Sequence, residues 1–198
     1  MDWSLFHAVN RFAARTSWLH GPLRIYANYG IVVFAVLLCA AAMVALRRAD
    51  DLALARTVWA GIAAVVVLTL NQPLGALFER ARPYATHHGV LLLVDRTSDV
   101  SFPSDHSVVA GAVAVGLLLA VRRIGVVALA AAVFMAFSRV YVGAHYPGDV
   151  VAGLVFGALV AVAGRPLADR LLVVVARRVR LLGPIQHLVG AVDPQRVS

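Results

Sequence analysis

Residues 57–78, TVWAGIAAVVVLTLNQPLGALF, run for 22 positions without a charged side chain, between Arg56 and Glu79. About 20 apolar residues suffice for a helix to cross the hydrocarbon of a bilayer, so the stretch reads as a transmembrane helix. Asn71, Gln72 and Pro73 lie near its end, where they either kink the span, with their amides bonded to neighbouring helices, or face a substrate. A second long uncharged run covers 29–46, and shorter ones cover 107–121, 124–138 and 150–164. The whole chain of 198 residues is 61% hydrophobic, with a mean hydropathy of +0.83. Only 14% of its residues are charged, against about a quarter in soluble domains. The expectation is an all-α integral membrane bundle of five transmembrane helices, or six if the N-terminal segment also crosses.

No linker or repeat divides the chain, so 1–198 is read as one membrane-embedded domain. Residues 2–18 place Trp3, Phe6, Val9, Phe12 and Ala13 at helical spacing with Asn10, Arg11 and Arg15 between them, the pattern of a helix lying in the membrane interface. The first long run lies behind Arg11, Arg15 and Arg24 with no small-residue cleavage site, so no removable signal peptide is expected. The last span is expected to break near Gly164-Arg165-Pro166, with 171–182 continuing as a basic amphipathic helix carrying Arg177, Arg178 and Arg180. The tail after Gly183 reads as weakly ordered.

A formal net charge of +8 raises the question of nucleic acid, but the charges flank apolar runs and form no basic stripe with interleaved aromatics. No nucleic-acid partner is expected, and the oligomeric state is left open. All 18 basic residues are Arg, and with the Ala and Val richness this fits a GC-rich bacterial genome. Lone Cys39 sits within a span, so there is no disulfide framework. With five spans, the 47–56 loop, the Arg122-Arg123 turn and the C-terminal tail share one side and hold 11 of the 18 Arg. That side is expected to be cytoplasmic, so the 79–103 and 140–148 loops face outward from a bacterial inner (plasma) membrane.

Three polar clusters interrupt the apolar pattern: Arg80-Ala81-Arg82-Pro83, Phe102-Pro103-Ser104-Asp105-His106, and Ser138-Arg139 followed by His145 and Asp149. The first follows the second span, the next opens the third, and the last lies between the fourth and fifth. An alternating bundle therefore brings all three to one face, at a depth where ionisable groups are functional candidates. Arg82 and Arg139 offer planar donor forks suited to phosphate oxygens. Ser104 and the free N–H groups opening the third helix add an anion site. His145 and Asp149 are four apart, so if the helix extends back that far the carboxylate orients one ring nitrogen and leaves the other free to attack phosphorus. His106 is then the natural proton donor to the leaving oxygen.

These segments resemble the three signatures of the type 2 phosphatidic acid phosphatase superfamily: Arg82-Pro83, Pro103-Ser104-Asp105-His106, and Ser138-Arg139-Val140-Tyr141-Val142-Gly143-Ala144-His145-Tyr146-Pro147-Gly148-Asp149. The resemblance covers roughly residues 71–157. It implies a lipid phosphatase that uses no metal or cofactor and forms a phosphohistidine at His145. Asp149 orients that histidine, His106 serves as acid, and Arg82, Ser104 and Arg139 hold phosphate. Two positions depart from the general pattern. Gly75 stands where a Lys usually lies seven residues before Arg82, and Asp105 replaces a Gly. Both departures, and the pair Asn71-Gln72, resemble the bacterial undecaprenyl diphosphate phosphatase branch. The expected reaction is therefore hydrolysis of a polyprenyl diphosphate to the monophosphate, with Arg80 the candidate for the missing cation. Phosphatidylglycerophosphate or phosphatidate phosphatases, or a lipid transporter on the same scaffold, are the alternatives.

Plainer readings exist for each residue. His145, Arg139 and Asp149 suit an ion-pair cluster at a helix end, and Ser104 suits an N-cap beside a solvated His106. Glu79 and Arg80 suit an exposed pair, and His87 and His88 a solvated loop. A Ser-His-Asp relay is disfavoured because Ser104, Asp105 and His106 are consecutive. A metal held by His106, His145 and Asp149 would be repelled by Arg82 and Arg139.

Overall fold

The computed structural model describes residues 1–181, with side chains to Arg178, and is helical throughout apart from its loops. The helices are α1 (Asp2–Arg15), α2 (His20–Tyr29), α3 (Ile31–Arg47), α4 (Asp51–Phe78), α5 (Pro83–Thr86), α6 (Asp105–Ala120), α7 (Arg122–Tyr141), α8 (Pro147–Ala163), α9 (Arg165–Leu167) and α10 (Val173–Leu181). Each of the five apolar runs lies largely within one of α3, α4, α6, α7 and α8. Among the described residues, three stretches are long and apolar enough to cross a bilayer alone: Asp51–Thr86, Arg122–Tyr141 and Pro147–Arg178. Ser17–Tyr29 and Ile31–Arg47, bent by 58° at their junction, form a fourth if taken as one broken span. The remaining apolar helix, α6, has 16 residues. That is about 24 Å of helix against a hydrocarbon core of about 30 Å, so its polar first turn sits at interface depth.

Helix α6 is the axis of the bundle and packs against α4, α7 and α8. Small residues let the backbones approach closely, as membrane helices require when burial from water supplies no driving force. A Cβ on Gly111 would lie 2.3 Å from the Leu154 carbonyl oxygen, and one on Gly157 would lie 2.0 Å from that of Val108. Phe34, Val113, Leu117 and Met135 fill the space between α3, α6 and α7.

The structure adds to the sequence expectations in several places. The N-terminal segment forms helix α1, which buries Phe6 and Ala13 completely and packs on α7 and α8, and α2 follows as a helix of its own. The expected break after α8 amounts to one turn residue, Gly164, against which Trp59 packs where a side chain would be, and a π-helical segment at Ala168–Leu172 carries the helix on into α10. Arg56 of α4 clamps this extension through Asp169, at 2.7 and 2.8 Å, and Trp59 Nε1 donates to the Ala161 carbonyl at 2.8 Å. Arg177 and Arg178 are exposed on α10, whereas the side chain of Arg180 and the tail after Gly183 lie outside the described residues.

The two ends of the bundle differ. At the α6 C-terminus, Arg48, Asp50, Arg122 and Arg123 surround a cavity of about 440 Å³. At the α6 N-terminus the three polar clusters meet.

Candidate active site

Several chain segments converge on a cavity of about 410 Å³ whose lining includes Asn71, Gln72, Arg82, Asp99, Asp105, His106, Arg139 and His145. Arg82 precedes α5, where Pro83 at the first helical position needs no hydrogen-bond partner for its missing N–H. Ser104 is the N-cap of α6 and His106 lies in its first turn, while Arg139 is in the last turn of α7. His145 sits in the α7–α8 turn. That turn depends on Gly143, whose φ of +83° suits glycine and whose Cβ would lie 2.4 Å from the Leu91 carbonyl oxygen. Leu93 N–H donates to the Val142 carbonyl at 3.0 Å, joining the long α5–α6 loop to the same turn.

His145 is 2% exposed and makes three polar contacts. Its Nδ1 lies 2.8 Å from the backbone carbonyl oxygen of Ser101. A carbonyl can only accept, so Nδ1 carries the proton and Nε2 presents its lone pair. Nε2 lies 3.1 Å from Arg82 Nη1 and 3.3 Å from Arg139 Nη2, both donors. Burial, then the guanidinium charges of Arg139 and Arg82, hold the His145 pKa well below the usual histidine range, so the ring is neutral at neutral pH.

Asp149 does not share a helical face with His145, because α8 begins at Pro147 and Tyr146 is its N-cap. Its Oδ2 accepts from Ser101 Oγ at 2.6 Å and from Tyr146 N–H at 2.9 Å, and its Oδ1 accepts from Arg80 Nη1 at 2.7 Å. The closest approach to His145 Nδ1 is 3.9 Å. Arg80 lies outside the cavity lining, between Asp149 and Asp2 and over the Tyr146 ring. At Gly75 a Cβ would lie 2.9 Å from the Val100 side chain and 3.1 Å from the Phe102 carbonyl oxygen, so a lysine would not fit there without displacing the loop.

Arg82, 7% exposed, also donates to the Ala144 carbonyl at 3.1 Å and pairs with Asp99 at 2.8 Å. Burial would raise the Asp99 pKa, but a Thr97 hydrogen bond and the Arg82 charge outweigh it and hold it below the usual carboxylate range. Arg139 donates to the Ala27 carbonyl at 3.1 Å. Asn71 Nδ2 donates to Asp105 Oδ1 at 2.7 Å and to the Pro103 carbonyl at 3.0 Å, so the departure at Asp105 and the upstream Asn71 meet in one contact. Among the described residues the buried side-chain atoms without a hydrogen-bond partner are Asn71 Oδ1, Ser104 Oγ, Ser107 Oγ and Arg139 Nε. Buried polar atoms are rarely left unpaired, and three of these four residues are candidates from the sequence for substrate contact.

The structure thus brings Arg82, His106, Arg139 and His145 around one cavity, buries Ser104 and Asp149 beside it, and turns Arg80 away. His87 is half-buried, stacked on Trp3 with ring centroids 3.5 Å apart, while His88 is exposed. Sequence reasoning missed Ser101, Asp99 and Asp2, which lie in a loop or at the chain start and carry no motif.

The chain is similar in sequence and in fold to known proteins. Undecaprenyl-diphosphatase BcrC of Bacillus subtilis (strain 168) is 29% identical over 160 residues, 81% of this chain and 80% of that protein. The crystal structure of Aquifex aeolicus LpxE superimposes with a TM-score of 0.63 at 23% identity, covering 82% of this chain and 93% of that one. A transmembrane PAP2 type phosphatidylglycerolphosphate phosphatase from Bacillus subtilis does so with a TM-score of 0.62 at 22% identity, covering 85% and 87%. Residues 56–171 match the PAP2 superfamily, more than half of the chain and all three polar clusters, so this multi-pass membrane protein belongs to that superfamily and is a phosphatase.

Proposed function

We propose that the protein hydrolyses a polyprenyl diphosphate of the undecaprenyl type to the monophosphate and inorganic phosphate, through a phosphohistidine at His145 Nε2. The observation that carries this reading is the unprotonated Nε2 facing two guanidinium forks, beside the unpartnered Arg139 Nε and Ser104 Oγ. An incoming terminal phosphate would take up the donors of Arg82, Arg139 and Ser104, which disperse the charge that grows on its oxygens. Nε2 attacks phosphorus as the bond to the bridging oxygen breaks, and the lipid monophosphate leaves with that electron pair. His106, on the cavity wall, supplies a proton to the leaving oxygen when one is needed, then takes one from the water that cleaves the P–N bond. Asp149 stands where it stabilises the ring as it becomes cationic. The undecaprenyl assignment draws on the relative from Bacillus subtilis. The arginine-rich end supports a cytoplasmic position for Arg48, Arg122 and Arg123, with the site opening outside the plasma membrane, where a carrier lipid is released for reuse.

The test is phosphate release by the purified protein from undecaprenyl diphosphate, undecaprenyl phosphate, phosphatidylglycerophosphate and phosphatidate. The expected result is the highest kcat/KM on the diphosphate. A higher value on any monophosphate would replace the substrate and leave the scaffold chemistry in place.

A further inference from the structure

Asp149 needs a countercharge because it is fully buried, and Arg80 supplies it through a 2.7 Å charge-assisted hydrogen bond. Arg80 is itself oriented from two directions. Its guanidinium carbon lies 4.1 Å above the Tyr146 ring, and its Nη2 donates to Asp2 Oδ2. The other Asp2 oxygen accepts from Gly148 N–H at 2.9 Å, in the first turn of α8 and next to Asp149 itself. Gly148 leaves room for this contact, since a Cβ at 148 would lie 2.9 Å from Asp2 Oδ2 and 3.5 Å from Arg80 Nη1. A continuous polar chain therefore runs from Asp2 through Arg80, Asp149 and Ser101 to His145 Nδ1.

We infer that Asp2 is a positioning residue for the reaction, acting through Arg80 to fix the Asp149 carboxylate beside the His145 ring. The inference rests on His145 and Asp149 carrying the chemistry proposed above. It assigns Arg80 to the carboxylate, away from the substrate phosphate. Helix α1 is docked independently of Asp2: Trp3 stacks on His87, Phe6 packs on Tyr146, and Asn10 exchanges two hydrogen bonds with Leu91 at 2.8 and 3.0 Å. Removing the Asp2 charge should therefore leave the helix in place and disturb only the ion-pair chain.

The experiment is a double-mutant cycle on the full chain, using whichever lipid of the panel the wild type cleaves best, so that a wrong substrate assignment does not affect it. Asp2→Asn is expected to lower kcat roughly tenfold, within the range for groups sharing one hydrogen-bond network. KM should stay within about twofold, because the phosphate-holding donors are untouched. Asp2→Glu, which keeps the charge, should retain more activity than Asp2→Asn. In an Arg80→Gln background, itself slowed in kcat, Asp2→Asn should cost almost nothing more. An unchanged kcat in Asp2→Asn, or an equal loss in both backgrounds, would overturn the inference. So would an Arg80→Gln variant whose defect lies in KM, since that would return Arg80 to phosphate binding.

Discussion

His145 and Asp149 face each other across 3.9 Å without a hydrogen bond, while the Ser101 carbonyl, at 2.8 Å, accepts from Nδ1–H. In the proposed mechanism, tautomer selection and charge stabilisation are thus divided between a backbone group and a carboxylate. Removing the carboxylate leaves the neutral ring correctly protonated, and removing the ring leaves no nucleophile. His145→Ala should therefore abolish phosphate release while substrate still binds through Arg82 and Arg139, and Asp149→Asn should retain a measurable residue of activity. Acid-labile label from phosphate-labelled lipid should be trapped on the wild type and absent from His145→Ala. Normal turnover in that variant would end the nucleophile assignment.

The low pKa of His145 sets the pH dependence. A base whose pKa is lowered stays neutral, and so nucleophilic, until the pH falls through that lowered value. The acid limb of kcat/KM contributed by His145 should therefore lie well below pH 6.5. Arg139→Gln removes one of the charges that hold the value down, so its limb should move to higher pH. The substrate titrates identically in both proteins, which assigns the difference to the enzyme. Superimposable profiles would show that Arg139 does not govern the ionisation of His145.

His106 separates the two substrate classes. A lipid monophosphate expels an alkoxide, which needs a proton in the transition state, and general acids contribute about 10²–10⁴-fold to such steps. A diphosphate expels a phosphate monoester with a second pKa of roughly 6, which leaves largely unprotonated at neutral pH. Under single-turnover conditions His106→Ala should slow monophosphate cleavage at least tenfold more than diphosphate cleavage, a gap of about 1.4 kcal/mol in barrier. Equal losses would make His106 a phosphate-holding donor.

Sidedness can be read at His88, which is exposed on the loop beside the site. A His88→Cys substitution in a Cys39→Ser background should react with an impermeant thiol reagent from outside intact cells. Labelling only after membrane disruption would invert the topology and remove the carrier-recycling role.

The sequence by itself determined the helices and the end of the bundle at which the three polar clusters meet. Uncharged runs of membrane length form helices wherever they occur, and alternation of spans then carries Arg82, His106, Arg139 and His145 to one end. The motif spacing likewise made His145 and the two guanidiniums beside it legible. Only the tertiary structure decided which groups hold them. Asp2 meets Gly148 across 146 positions, Arg82 meets His145 across 63, and Ser101 meets Asp149 across 48. Such contacts depend on how loops close over helix ends, and no local periodicity encodes that. The same holds for Arg80: its place in the sequence suggests a replacement for the lysine absent at Gly75, but its guanidinium pairs with two carboxylates, Asp2 and Asp149.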